Sequence, residues 1–404
     1  MSSPSSSPSE PSPSDRAAAP SHLTLRFAGF YGAVFLVLGA QLPYWPLWLE
    51  ARGLSGSEVG VLLAAAAWIK VAANPLAGYL TDVSGRSRLV ICTLMAIGAL
   101  GFLGFGLAQG FWMLLALQIL TAGCFQALLP LGESRALAAV RRHGLDYGRS
   151  RLWGSVTFVA GVLAIGGSLD LLPVAILPWL LAAGLGLALI AALALPVTAG
   201  DRERPARGDL KRLLSDPPLL WFLLAAALVQ ASHAAYYAFS AIAWRAAGHG
   251  TFTIGWLWTE GVLAEILFFA LSSRVLARVS FRNLVLLAAA GGLLRWGVTA
   301  MTTALPALAA VQLLHAATFA ATHLAAVHVI AARAPGGLAA TGQSLYASVS
   351  GGVLMGAMML AVGPLYDRIG LQSFYVMAGL CGLALLLILA APRASSTPEQ
   401  ESPP

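Results

Sequence analysis

TAGDRERPARGDLKRLLSDPP (residues 198–218) is the longest polar stretch inside the chain, and it lies near the middle of the 404 residues. What flanks it decides the fold class. On both sides the sequence is a succession of apolar runs of about 20 residues, the length that crosses a hydrocarbon core, separated by short polar breaks. Cutting at those breaks gives spans near 26–49, 57–81, 87–108, 111–138, 149–168 and 173–197 before the linker. After it come 219–246, 252–275, 281–301, 305–332, 342–366 and 371–392.

Composition supports the same reading. Apolar residues make up 58% and charged residues 10% of the chain, with a mean hydropathy of +0.78. A soluble domain carries about a quarter charged residues, so this chain needs lipid as solvent. The formal charge of +7 does not signal nucleic acid, because the basic residues sit in short loops between apolar runs. The Ser/Pro-rich segment at the start and the polar tail at the end offer nothing apolar to bury. The expectation is an all-α polytopic membrane protein. It has a disordered tail at 1–25, six-helix bundles at 26–197 and 219–392, a linker at 198–218 and a second disordered tail at 393–404.

Charge asymmetry orients it. With both termini in the cytoplasm, Arg86, Arg88, Arg135, Arg141, Arg142, Arg149, Arg202, Arg204, Arg207, Lys211, Arg212, Arg274, Arg278 and Arg282 all fall on the inner side. Arg52, Arg245 and Arg368 fall on the outer side. That alternation follows the positive-inside rule and calls for an even number of spans. The halves also echo each other at one constant offset, with Gly53 and Gly60 matching Gly248 and Gly255. Internal repeats with a site between them are a transporter layout.

Between the second and third spans stands GYLTDVSGRSR (78–88). It resembles the signature of the major facilitator superfamily, Gly-x-Leu-x-Asp-x-x-Gly-Arg followed by a further basic residue. The resemblance implies a gate latch made by Gly78, Asp82, Gly85, Arg86 and Arg88. Gly78 would let two helices pack closely, Gly85 would make the turn, and Asp82 would pair with arginines. The stretches QLPYWPLWLEARGLS (41–55), YGRSRLWGS (147–155), QASHAAYYAF (230–239) and AEILFFALSSRVL (264–276) are similar to the 3-phenylpropionate transporter group. That group is related to the lactose and nucleoside proton symporters.

Ionisable residues inside the apolar runs carry the functional information, because each costs about 2.5–3.5 kcal/mol at the bilayer centre on insertion scales. They are Lys70, Glu133, Arg151, Glu265 and Arg295, with His233, His315 and His323. Residues equidistant from a hairpin turn lie at equal depth. Glu133 and Arg151 are each nine residues from Arg142, and Arg295 and His315 are each ten from Leu305, roughly 15 Å into the membrane at 1.5 Å per residue. Equidistance likewise puts Glu265 level with Arg295 across Ser280, and His233 level with Glu265 across His249. The expectation is one layer of Glu265, Arg295, His315 and His233 in the second half, and a Glu133–Arg151 pair in the first.

The lactose-type resemblance implies that Glu133 and Arg151 bind substrate, and that Glu265, Arg295 and His315 couple it to protons. The proton-carrying Glu of that group falls at Thr318 here, so either the proton passes to Glu265 or to a histidine such as His323, or coupling is absent. Lys70, His233, Tyr236 and Tyr237 complete the expected substrate site, with Arg151 or Lys70 receiving a carboxylate. Trp45, Trp48, Trp256 and Trp258 are expected at the outer interface.

The function this points to is proton-coupled symport of a small organic solute, an aromatic acid ahead of a nucleoside or sugar. It would be carried out by a monomer in a bacterial inner membrane, without a cofactor. The alternative is a proton-coupled exporter of drugs or metabolites. Against it, the fifth span reads GSVTFVAGVLAIGG (154–167) and lacks the proline of the Gly-Pro-rich signature common in antiporters of this superfamily. No nucleophile motif, metal-ligand spacing or phosphate loop suggests an enzyme.

Overall fold

The computed structural model describes residues 21–196, 215–334 and 338–390. Most of the expected linker, the tail from 393 and the greater part of the 1–25 tail lie outside the described residues. All regular structure in the described part is helical. Among the described residues, eleven helical stretches are long and apolar enough to cross a bilayer. The first six are α1 (Ser21–Ala51), α2 (Gly56–Ser84), α3 (Ser87–Leu107), α4 (Phe111–His143), α5 (Tyr147–Leu171) and α6 (Val174–Leu193). After the linker come α7 (Pro217–Ala246), α8 (Thr251–Leu276), α9 (Phe281–Met301) and α10 (Leu305–Arg333). The eleventh, Thr341–Ala390, runs to 50 residues. It breaks at Gly370, whose φ of 54° ends one arm, α11 (339–369), before a second, α12 (Phe374–Ala390).

The helices outrun the apolar cuts because polar residues cap them rather than stop them. α1 starts at Ser21, ahead of the expected 26. α4 continues through its arginines to His143, where Gly144 in the left-handed region ends it. Asp146 accepts from the Arg149 amide at 2.9 Å and starts α5. Ser55 and Glu58 form a reciprocal capping box at the start of α2.

Within residues 21–196, α1 packs on α5 and α6, α3 on α6, and α2 on α4. Within 215–390, α12 packs on α9 and α7, and α10 on α8 and α9. The two parts meet through α2 with α11, α5 with α8, and α1 with α7. The repeat read in the sequence appears as geometry here. Gly53 and Gly248 both turn the chain with positive φ, 82° and 92°. Gly60 and Gly255 both sit where helices of opposite halves touch: a methyl at Gly60 would meet the Met359 carbonyl at 2.6 Å, and one at Gly255 would strike the Tyr44 hydroxyl.

Hydrogen bonds across the halves cluster at the end carrying the 51–56 and 246–251 connections. Asp170, at the end of α5, accepts from the Thr251 amide and hydroxyl at 2.6 Å each and from the Phe252 amide at 3.1 Å. Asp367, at the end of α11, accepts from the Gly56 and Ser57 amides at 2.6 and 2.8 Å and from the Ser57 hydroxyl at 2.6 Å. Each carboxylate thus caps the N-terminus of a helix in the other half, satisfying orphan amides and meeting the positive end of the helix dipole. The Tyr44 hydroxyl bridges the carbonyls of Val162 and Thr251 between them.

A helix cap is worth about 1 kcal/mol, and a charged acceptor makes roughly twice the bond of a neutral one. Replacing both aspartates, Asp170→Ala with Asp367→Ala, should weaken this junction by about 2 kcal/mol or more. Backbone hydrogen exchange at Gly56, Ser57, Thr251 and Phe252 should then quicken at least tenfold. Unchanged exchange in the double variant would show that the carboxylates do not hold the ends together.

Candidate functional site: a central cavity and a buried polar layer

Glu133 on α4 and Arg151 on α5 are brought together by the 143–147 turn, Arg151 Nε lying 3.7 Å from Glu133 Oε1. The Tyr147 hydroxyl donates to the same carboxylate at 3.4 Å, and the guanidinium stacks over Phe35 at 4.1 Å.

In the other half, Arg295 on α9 is fully buried; both terminal nitrogens of its fork find partners, while Nε has none. Nη2 donates to Gln312 Oε1 at 2.6 Å; Nη1 faces Thr318 Oγ1 and His315 Nδ1 at 3.0 Å each and His233 Nε2 at 3.3 Å. The guanidinium lies over Tyr236 and Trp296, at 4.9 and 4.3 Å. Burying an arginine costs about 2.5–3.5 kcal/mol on insertion scales, whereas each hydrogen bond to a charged group returns roughly 1.5–3 kcal/mol. Nη1 has two hydrogens for its three neighbours, so with Nη2 about three such bonds form at once, enough to offset the cost.

Because arginine can only donate, it fixes both histidine tautomers. His315 accepts at Nδ1, so its proton is on Nε2, which faces Glu265 Oε2 at 3.6 Å. His233 Nδ1 lies 3.1 Å from the Gln230 carbonyl and carries the proton there, leaving Nε2 to accept.

Glu265 and Arg295, expected in one layer, do not pair directly: His315 stands between them and faces one with each ring nitrogen. Equal depth along two helices does not fix the direction a side chain takes around the helix axis, and the third helix filled the gap. Thr318, on a π-helical turn of α10 (Ala316–Ala321), serves as an acceptor for Arg295 at the position where a carboxylate was expected.

Beside this layer lies a cavity of about 700 Å³ between the two halves, lined from α1, α2, α4, α7, α10 and α11. Lys70, Tyr237 and His323 reach it; Glu133, Arg151, His233, Tyr236, Glu265, Arg295 and His315 are not among its lining residues. Tyr236 is corrected from lining to packing, buried and stacked on Trp258 at 4.4 Å. Trp258, Trp45 and Trp48 are also corrected, since all three are buried. Trp45 stacks on Trp48 at 4.9 Å, donates to Gln118 Oε1 at 2.9 Å and lines the cavity. Of the four tryptophans only Trp256 is exposed.

The sequence reading missed the glutamines. Gln41, Gln118, Gln126, Gln230 and Gln343 line the cavity, and Gln312 holds Arg295. An amide within an apolar span was the available signal, and a search confined to ionisable groups passes over it.

The gating motif is not assembled as a latch here. Gly85 makes the turn at φ 62°, and Arg88 Nη1 donates to the Leu193 and Leu195 carbonyls at the end of α6, at 3.2 Å each. Arg86 is exposed. Asp82 is exposed and makes no hydrogen bond or ion pair among the described residues. No atom lies within 4 Å of a methyl built on Gly78, so this glycine marks no close helix crossing; α2 meets α11 nearer its other end.

With this arrangement in view, comparison with known proteins is decisive. Residues 24–377 match the model of the MFS_1 like family. The chain belongs to that family. As one of its major facilitator members it is a secondary transporter, a multi-pass protein of the inner membrane and not an enzyme. It is similar to the "Probable 3-phenylpropionic acid transporter" of Escherichia coli, at 36% identity over 86% of this chain and 92% of that one. It is also similar to the maltose permease of Geobacillus stearothermophilus, at 27% identity over 93% and 96%. In fold it resembles the crystal structure of the nucleoside transporter NupG, with a TM-score of 0.76 and 14% identity over 91% and 98% of the two chains.

The fork of Arg295 gives this transporter a test of its buried layer. Gln312→Leu leaves Nη2 without its acceptor, and loss of a bond to a buried charge costs about 1–3 kcal/mol. Unfolding of the purified protein should shift to lower temperature accordingly. A melting curve unchanged from wild type would remove Gln312 from the network.

Proposed function

We propose that this transporter is a proton-coupled symporter for a small organic acid, working as a monomer by alternating access about the cavity. The observation that carries the reading is the chain Arg295–His315–Glu265 beside the cavity. Glu265 is the carboxylate that touches the buried layer, its Oε2 lying 3.6 Å from His315 Nε2. His315 cannot take a proton on Nδ1 while Arg295 donates there, so the mobile proton belongs on Glu265. A change in the seating of α8 or α10 alters the 3.6 Å contact and with it the carboxylate's hold on its proton. The relative named for 3-phenylpropionic acid supports an aromatic acid as the solute. The relative named for maltose is the ground for a sugar as second choice.

The same reading includes twelve crossings, in bundles 26–197 and 219–392, with both termini cytoplasmic. Fifty residues of helix at 1.5 Å each would extend about 75 Å, more than twice a core of roughly 30 Å. Gly370 is the natural turn between two crossings, and Arg368 beside it shares its side with Arg52 and Arg245. In this frame the Asp170 and Asp367 caps close the periplasmic end, and Asp82 waits on partners at the cytoplasmic end. A reporter fused at Gln372 should read periplasm, and one fused after Ala390 cytoplasm. The same compartment at both would remove the twelfth crossing.

The coupling is tested by Glu265→Gln in proteoliposomes. Counterflow exchange should persist, while accumulation driven by a pH gradient should fail. Uphill accumulation at the wild-type level would take the proton away from Glu265.

A further inference from the structure

We propose that Lys70 is the anion receptor of the central cavity, and that it selects solutes carrying a single carboxylate on an apolar body. The inference rests on the cavity being the substrate site. Lysine occurs only at Lys70 and Lys211 in this chain, so one placed inside α2 is conspicuous. Arg151 and Lys70, expected to receive a carboxylate, and Arg295, expected in proton coupling, stand in different situations. Arg151 is paired with Glu133 and stacked on Phe35. Arg295 is held by Gln312, His315, Thr318 and His233 and is not among the lining residues of the cavity. Lys70 lines the cavity and has no hydrogen bond or ion pair among the described residues.

The cavity offers it no counter-charge, since its lining contains neither Asp nor Glu. A half-buried ammonium with no carboxylate beside it is a standing electrostatic cost. A guest carboxylate removes that cost, which a neutral guest of the same shape cannot do. Room for the ammonium is built into the facing helix. On the π-helical turn of α11 (Val349–Leu354), a methyl on Gly351 would stand 2.9 Å from Lys70 Nζ. One residue pair away, Trp68 Nε1 donates to the Val353 carbonyl at 3.2 Å and fixes α2 against α11 at this level.

The rest of the wall suits the rest of such a solute. Leu38, Leu42, Trp45, Phe125, Met355 and Met359 give an apolar, partly aromatic surface, and a volume of about 700 Å³ falls in the range for small-molecule sites. One cation and no second basic lining residue but His323 favour a monoanion over a dianion.

The test compares 3-phenylpropionate, its neutral amide and maltose as ligands of the full chain in nanodiscs, by calorimetry. Wild type should bind the carboxylate at least tenfold more tightly than the amide or maltose. Lys70→Met should lose that preference by weakening carboxylate binding, with amide binding held within about threefold. Lys70→Arg should retain it. Gly351→Ala, which leaves the charge but crowds it, should lower carboxylate affinity as well, and it serves if Lys70→Met does not fold. Equal binding of acid and amide by wild type overturns the proposal. So does a preference that survives in Lys70→Met, or a wild type that binds maltose best or none of the three. Uptake under an imposed pH gradient is read separately. A chain that accumulates maltose with protons would keep the symport reading while sinking Lys70, and selective acid binding without proton dependence would do the reverse.

Discussion

Charge buried without water has to be answered by the protein, and Arg295 is where that constraint is most severe. Its guanidinium is fully buried, and the helices around it are arranged to accept from it: α10 supplies Gln312, His315 and Thr318, and α7 supplies His233. One donor-only group therefore fixes the mutual rotation of α7, α9 and α10. It also fixes the tautomers of two histidines and, through His315, the surroundings of Glu265. The π-helical turn at Ala316–Ala321 belongs to the same constraint, for it lies just past His315 and carries Thr318 toward the arginine. Such turns concentrate at functional sites.

The junction between the halves is built on a different principle. Backbones approach where glycine permits it, at Gly60 against Met359 and at Gly255 against Tyr44 and Val162, and each approach is locked by a carboxylate on a helix N-terminus. The two locks, Asp170 at the end of α5 capping α8 and Asp367 at the end of α11 capping α2, stand on the fifth helix of each half. They lie at one end of the molecule, while Gly78, Asp82 and the exposed end of α2 lie toward the other. The halves are thus bonded to each other at one end, while at the other Asp82 makes no hydrogen bond or ion pair among the described residues.

Much of the fold was legible in the sequence because lipid enforces it. Helix length follows from the thickness of the hydrocarbon core and from the need to satisfy every backbone group internally. Ten of the expected spans correspond to separate helical stretches, and the last two to the arms of Thr341–Ala390. Pairings across a short turn were legible too, since a hairpin sets the depth of its residues: Glu133 meets Arg151, and Arg295 meets His315. The glutamines were missed because they carry no charge to mark them, and Trp45 and Trp48 were assigned to a surface because apolar runs do not reveal which face is turned inward.

By itself, then, the sequence determined the membrane class, the helical stretches, their repeat and which ionisable residues stand level across a short turn, most of which follow from distances along the chain. Only the tertiary structure decided which groups touch. The rotation of each helix about its axis placed His315 between Arg295 and Glu265, turned Tyr236 into the packing and Tyr237 into the cavity, and left Lys70 facing an opening without a counter-charge. Depth is a property of one helix against the bilayer and can be counted. Azimuth is settled by the packing of all the helices together, and no single segment contains it.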